Sequence, residues 1–269
     1  LPEFWVNAEM AAEAAAAMVE AGWTAVKFDP AGPYTIRGGH MPAMSDIATS
    51  VAFCREIRAA VGDRADLLFG THGQFATGGA TRLARAIEPY DPLWYEEPVP
   101  PDSKAAMAAV QAATSIPLAT GERLCTAGEF LPLLAAGAIR ICQPALGRLG
   151  GIWEAKKLSA IAAAHNALMA PHLYAGPVEW AANVHLAVSI PNILMVEAIE
   201  TAFHDRLVSG RPAVEAGFVA APEGPGLGIT LNDDVAAAHA YTGDRLHLEM
   251  QEAPCDWQNG NAFGGGSAD

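Results

Sequence analysis

Lys27, Asp29, His72, Glu96, Glu122, His172 and Glu197 each stand at or beside the end of a short apolar run. They recur on one beat: His72 to Glu96 is 24 residues, Glu96 to Glu122 is 26, Glu122 to His172 is 50 and His172 to Glu197 is 25. Glu97 and Gln143 end their runs in the same way. Carboxylates that converge on one place repel one another unless a cation sits between them. Hard oxygen donors at such spacing suit Mg²⁺, which takes a few carboxylates and keeps waters or substrate oxygens. Histidines beside them titrate near neutral pH and can carry protons. The pattern points to metal-assisted proton transfer.

These residues need elements to position them. Apolar runs alternate with Ala-rich stretches of helical periodicity. Strands are predicted at 24–29, 66–70, 92–97, 117–121, 139–143, 168–172 and 193–197. Helices are predicted at 9–21, 45–61, 79–88, 103–113, 127–136, 152–165 and 178–188, with Ser45 as the N-cap of the second. Strands alternating with helices mean βα units and a parallel sheet. The regular beat, with no G-x-G-x-x-G after the first strand, favours a TIM-type (β/α)8 barrel over a doubly wound dinucleotide fold. In such a barrel the strand ends form the catalytic face. Seven strands are recognisable over 1–200, and the absent one is the first. Residues 201–258 read as an extension packed on the barrel, with a short helix near 233–240, and 259–269 as a disordered Gly-rich tail. The long segment 31–44 after the first strand places Tyr34, Arg37 and His40 where substrate contact is conceivable.

Composition narrows the class. The chain has 269 residues, 51% hydrophobic and 17% charged, enough for a sizeable core. Sixteen Lys+Arg against 30 Asp+Glu, a formal net charge of −14, argue against a nucleic-acid partner. No apolar stretch approaches the ~20 residues of a membrane span. Cys54, Cys125, Cys142 and Cys255 form no C-x-x-C pair and read as buried and inert, which fits a reducing, cytoplasmic setting. The start, Leu1-Pro2-Glu3-Phe4, has neither Met nor a signal-peptide pattern, so the chain reads as a fragment, a processed product or an incomplete gene product.

Tyr95-Glu96-Glu97-Pro98, Thr120-Gly121-Glu122-Arg123, Ala170-Pro171-His172 and Gly224-Pro225-Gly226-Leu227-Gly228, in this order, resemble the barrel domain of the enolase superfamily. The nearest branch is the mandelate racemase and galactonate dehydratase group, and the resemblance runs from about Glu9 to Ile229. It implies Mg²⁺-dependent dehydration of a sugar acid. A base takes the proton α to the carboxylate, the metal stabilises the enediolate, and the β-hydroxyl leaves to give a 2-keto-3-deoxy acid. Carried over, Glu96 and Glu122 match metal ligands, and His172 matches the histidine acting as base or acid. His72 matches the proton donor to the leaving hydroxyl, and Glu197 the glutamate that holds the substrate carboxylate. Lys27 and Asp29 fall at the second strand's basic positions as a catalytic pair, a ligand or a salt bridge, and Arg148 is a substrate-carboxylate candidate or a helix-start residue.

The chain departs from the family pattern at three points. Gly70 stands where the first metal ligand, an Asp, belongs; Ala145 stands where an Asp orients the histidine base. The N-terminal capping domain and first barrel strand are absent from this sequence. Three other readings follow: a cycloisomerase of an anhydro sugar acid or lactone, a non-catalytic decayed barrel, and a Schiff-base lyase at Lys27. A barrel with one strand missing has two open edges, which predicts low stability or pairing into a homo-oligomer.

Overall fold

The computed structural model of the chain describes residues 3–32 and 39–240, which fall into two compact units, one up to Ala119 and one from Thr120. Tyr34, Arg37, Cys255 and the Gly-rich tail lie outside the described residues. Among the described residues no helix is long and apolar enough to cross a membrane.

The first unit is a parallel sheet laid down in sequence order. Strand β1 (Ala25–Phe28) pairs with β2 (Asp66–Phe69), β2 with β3 (Trp94–Glu96), and β3 with β4 (Leu118–Thr120). Helices α1 (Ala8–Glu20), α2 (Met44–Val61), α3 (Thr77–Ile87) and α4 (Lys104–Gln111) separate or precede these strands. Trp94, Tyr95 and Glu96 are buried, as are Leu118, Ala119 and Thr120, which is why these strands read as continuous apolar runs. β1, with β2 as its strand partner, is only partly buried over Ala25 and Val26.

Helix α2 begins one residue earlier than its sequence suggests. Asp46 caps it from inside: its carboxylate accepts from the backbone N–H of Ala43 at 2.9 Å, so Ser45 is not the cap. Tyr95 is fully buried, its ring edge-on to Phe69 at 5.6 Å, and its hydroxyl has no hydrogen-bond partner among the described residues. Burial, and then the charge of Asp29, push this phenol well above its ordinary pKa. A buried unpaired hydroxyl costs about 1–3 kcal/mol. Tyr95→Phe is therefore expected to hold stability level or raise it by about 1 kcal/mol in urea unfolding. A loss larger than that means the hydroxyl has a partner in solution.

The second unit continues the pattern. β5 (Ile141–Cys142) pairs in parallel with β6 (Leu168–Met169), and Gln143 donates its N–H to the Thr120 carbonyl at 2.9 Å. Helices α5 (Ala127–Ala135), α6 (Leu146–Leu149), α7 (Ile152–Ala164) and α8 (Pro177–Ser189) lie between or after these strands. The strand expected at 193–197 shrinks to an isolated parallel bridge between Met169 and Ile193. Met169 still exchanges two backbone hydrogen bonds there, with Asn192 and Leu194. Beyond it the Gly-Pro-Gly-Leu-Gly motif brings Leu227 onto a cluster of Leu173, Trp180 and Val184. Its job in this unit is packing next to His172.

Candidate active site

In the first unit, β1 carries Lys27 and β3 ends at Glu96. The Lys27 ammonium lies 2.8 Å from Glu96 Oε1, and Glu96 is 1% exposed. A carboxylate so buried needs a cation beside it. Lys27 goes to Glu96, and Asp29 Oδ2 lies 2.8 Å from His72 Nδ1. Asp29 follows β1 and is itself buried.

The turn after β2 holds His72 in place. Thr71 Oγ1 donates to the carbonyls of Glu96 at 2.5 Å and Glu97 at 2.8 Å. Gly73 donates its N–H to the Glu97 carbonyl at 2.7 Å, and the N–H of His72 is capped by the Gln74 side chain at 2.6 Å. Glu97, fully buried, is forced to a positive φ of 40°, a cost that persists only where neighbours fix it. Thr71 and Gln74 were not singled out from sequence, though a Thr and a Gln flanking a strand-end His are a readable signal.

In the second unit, Glu122 follows β4 and His172 follows β6. His172 Nδ1 lies 3.4 Å from Glu122 Oε2 and 3.4 Å from Glu197 Oε2. All three side chains are about nine-tenths buried. Glu197 is fixed by the N–H of Leu173, which donates to its Oε2 at 2.7 Å. Asn183, on α8, donates to the His172 carbonyl at 3.3 Å. Arg148 does not point its observed bond at an open carboxylate site; its Nη1 donates to the backbone carbonyl of Glu122 at 2.8 Å and braces that residue. Ala145 serves as the N-cap residue of α6 and offers His172 no carboxylate.

Two buried carboxylates around one imidazole nitrogen repel each other unless positive charge lies among them. The donors are hard carboxylate oxygens, and these suit Mg²⁺. Gly70 adds no ligand; a Cβ built on it would stand 3.4 Å from the Asp29 Cβ. The cysteines are split. Cys54 and Cys142 are buried, and burial pushes both thiols up, Cys142 to about 12. Cys125 is exposed, against the expectation that it is buried, because it sits in the turn that enters α5.

The family described as "Enolase C-terminal domain-like" matches residues 9–235. The D-xylonate dehydratase of Haloferax volcanii is 34% identical over 249 residues, covering 90% of this chain and 60% of that protein. The D-galactonate dehydratase of Ralstonia nicotianae is 32% identical over 221 residues, 79% of this chain and 55% of that one. Among solved structures, a mandelate racemase/muconate lactonizing enzyme-like protein from Roseovarius sp. TM1035 has 67% identity and a TM-score of 0.92, covering 96% of this chain and 65% of that chain. A mandelate racemase/muconate lactonizing enzyme from Jannaschia sp. CCS1 has 70% identity and a TM-score of 0.89, covering 92% and 64%. The chain thus spans between half and two thirds of the length of these relatives.

Proposed function

Because the chain belongs to the enolase C-terminal domain-like family, we propose that it forms the barrel part of an Mg²⁺-dependent acid-sugar dehydratase. The observation that carries this reading is the setting of His172, a buried imidazole flanked at 3.4 Å by two buried carboxylates. The dehydratase names of the relatives weigh toward dehydration rather than cycloisomerisation.

In this reading Glu96 of the first unit and Glu122 of the second are each proposed as Mg²⁺ ligands, as the family resemblance implies. When bound, the ion supplies the positive charge that eases loss of a proton next to a carboxylate. Every other step belongs to side chains. His172 accepts the proton α to the substrate carboxylate, and Glu197 holds that carboxylate. His72 gives a proton to the β-hydroxyl, which leaves as water, and the resulting enol becomes a 2-keto-3-deoxy acid. Lys27 holds the Glu96 carboxylate in place, and Arg148 holds the Glu122 backbone. The substrate is a small sugar acid, with no nucleic-acid or membrane partner. Free thiols at the three described cysteines support a reducing, cytoplasmic setting.

The test is calorimetry with Mg²⁺ on this chain and on the Glu96→Gln/Glu122→Gln double variant. Binding by the parent that disappears in the variant is the expected result. The parent is then assayed on D-xylonate, D-gluconate and D-galactonate for 2-keto product. No Mg²⁺ binding by the parent moves the reading to a non-catalytic barrel.

A further inference from the structure

We propose that Asp29 is the positioning residue for His72, holding its imidazole with Nδ1 toward the carboxylate and Nε2 toward the substrate. This rests on the reading of His72 as the proton donor to the leaving hydroxyl. Three separate features of the first unit carry it.

The first is the contact. Asp29 Oδ2 lies 2.8 Å from His72 Nδ1, and Asp29 is only 9% exposed while the histidine side chain keeps 29%. At 2.8 Å the buried carboxylate favours a proton on Nδ1 electrostatically, and so the tautomer that leaves the other nitrogen for chemistry. The exposure is distributed accordingly: the orienting group is buried and the proton carrier opens to solvent.

The second is how Asp29 is aimed. Pro30 follows it and restricts its backbone to extended conformations. Pro30 is tied in turn to α2, where Ser50 Oγ donates to its carbonyl at 3.3 Å. Gly70 donates its N–H to the Phe28 carbonyl at 2.9 Å, so Gly70 lies directly beside Asp29. A side chain at 70 would start 3.4 Å from the Asp29 Cβ and 3.7 Å from its Cγ, and any branch beyond Cβ would crowd the carboxylate. The glycine keeps the path between Asp29 and the turn after β2 clear.

The third is the rigidity of the partner. His72 sits in a turn anchored on both sides, by Thr71 and Gly73 to the backbone of Glu96 and Glu97, and by Gln74 to its own N–H. A ring so mounted has little freedom besides rotation about its own bonds, and the Asp29 contact removes that.

The proton step balances. In the imidazolium, Nδ1–H faces Asp29 and Nε2–H faces the substrate hydroxyl. The Nε2 proton moves to the hydroxyl oxygen as the C–O bond breaks and water departs. The electron pair of the former α C–H bond becomes the new double bond. The ring is left neutral with its Nδ1 proton still facing the carboxylate, which stabilises the charged ring before transfer.

The experiment is ¹⁵N NMR of histidine-labelled chain at a pH where His72 is neutral, with His72→Gln used to assign the signal. The parent is expected to show a single Nδ1–H tautomer for His72. Asp29→Ala is expected to lose that preference. Asp29→Asn serves where the alanine variant does not fold, since loss of the carboxylate moves the Nδ1 resonance there as well. His72 resonances identical in parent and variant overturn the proposal. With an acid sugar that turns over, Asp29→Ala is expected to lower kcat about 10- to 100-fold with KM within about threefold. A chain that turns over no acid sugar defeats the dehydratase reading, while the NMR arm still decides the role of Asp29.

Discussion

Replacing His172 with asparagine is expected to lower turnover of an acid sugar by about 10²–10⁴-fold while leaving the chain folded. The ring lies 3.4 Å from both Glu122 and Glu197 and carries a nitrogen that can accept a proton and return it. Its backbone is held independently, through the carbonyl that accepts from Asn183 and the Leu173 N–H that fixes Glu197. Asparagine keeps polarity and approximate size but has no basic nitrogen. The decisive measurement is exchange of the substrate α-proton in deuterated water. The variant should lose exchange together with dehydration. If exchange survives in His172→Asn, another group is the base and the assignment falls.

Gly121→Ala is expected to destabilise the second unit by about 2–6 kcal/mol, from backbone strain and overpacking together. Gly121 has a φ of +145°, a region that residues with a side chain avoid. A Cβ there would stand 2.6 Å from two ring carbons of Phe130 and 2.9 Å from the carbonyl carbon of Gln143. Phe130 is fully buried and cannot swing away cheaply. The glycine also aims the following residue, because its carbonyl accepts from Leu124 and closes the turn that carries Glu122. Urea unfolding of parent and variant reads the effect. A change below about 1 kcal/mol would show that the turn relaxes freely and does not fix Glu122.

Much of this arrangement is legible in the sequence, for a physical reason. Strands buried on both faces leave apolar runs, and a polar residue that ends each run is conspicuous. That is how Glu96, Glu122 and His172 stand out. Where sequence fails, the deciding contact is between segments. Asp29 and Lys27 are two residues apart, yet Lys27, within the strand, reaches Glu96, and Asp29, just past its end, reaches His72. The distance of 69 residues between Lys27 and Glu96 hides the ion pair from any local pattern. Ser45 looks like a cap by type, but Asp46 has the reach to bond the Ala43 N–H. Cys125 looks like a core residue by type, but a capping turn is a surface structure. The last strand fades to a bridge because its hydrogen bonding with Met169 extends over only two bonds. The hairpin of Val214–Glu215 with Phe218–Val219 left no alternation long enough to read, and its turn depends on positive φ at Ala216 and Gly217.

The order of pairing in the first unit also has a kinetic meaning. Each of its strands bonds to the next one in the chain, so no pairing waits on a distant segment. Closing each step costs a similar loop entropy, since that cost grows only with the logarithm of loop length. Growth of such a sheet resembles a zipper, in which every added βα step meets an edge already formed. Pulling on the unit from its N-terminal strand should therefore peel it one step at a time, with β1 released first and the turn bearing His72 next.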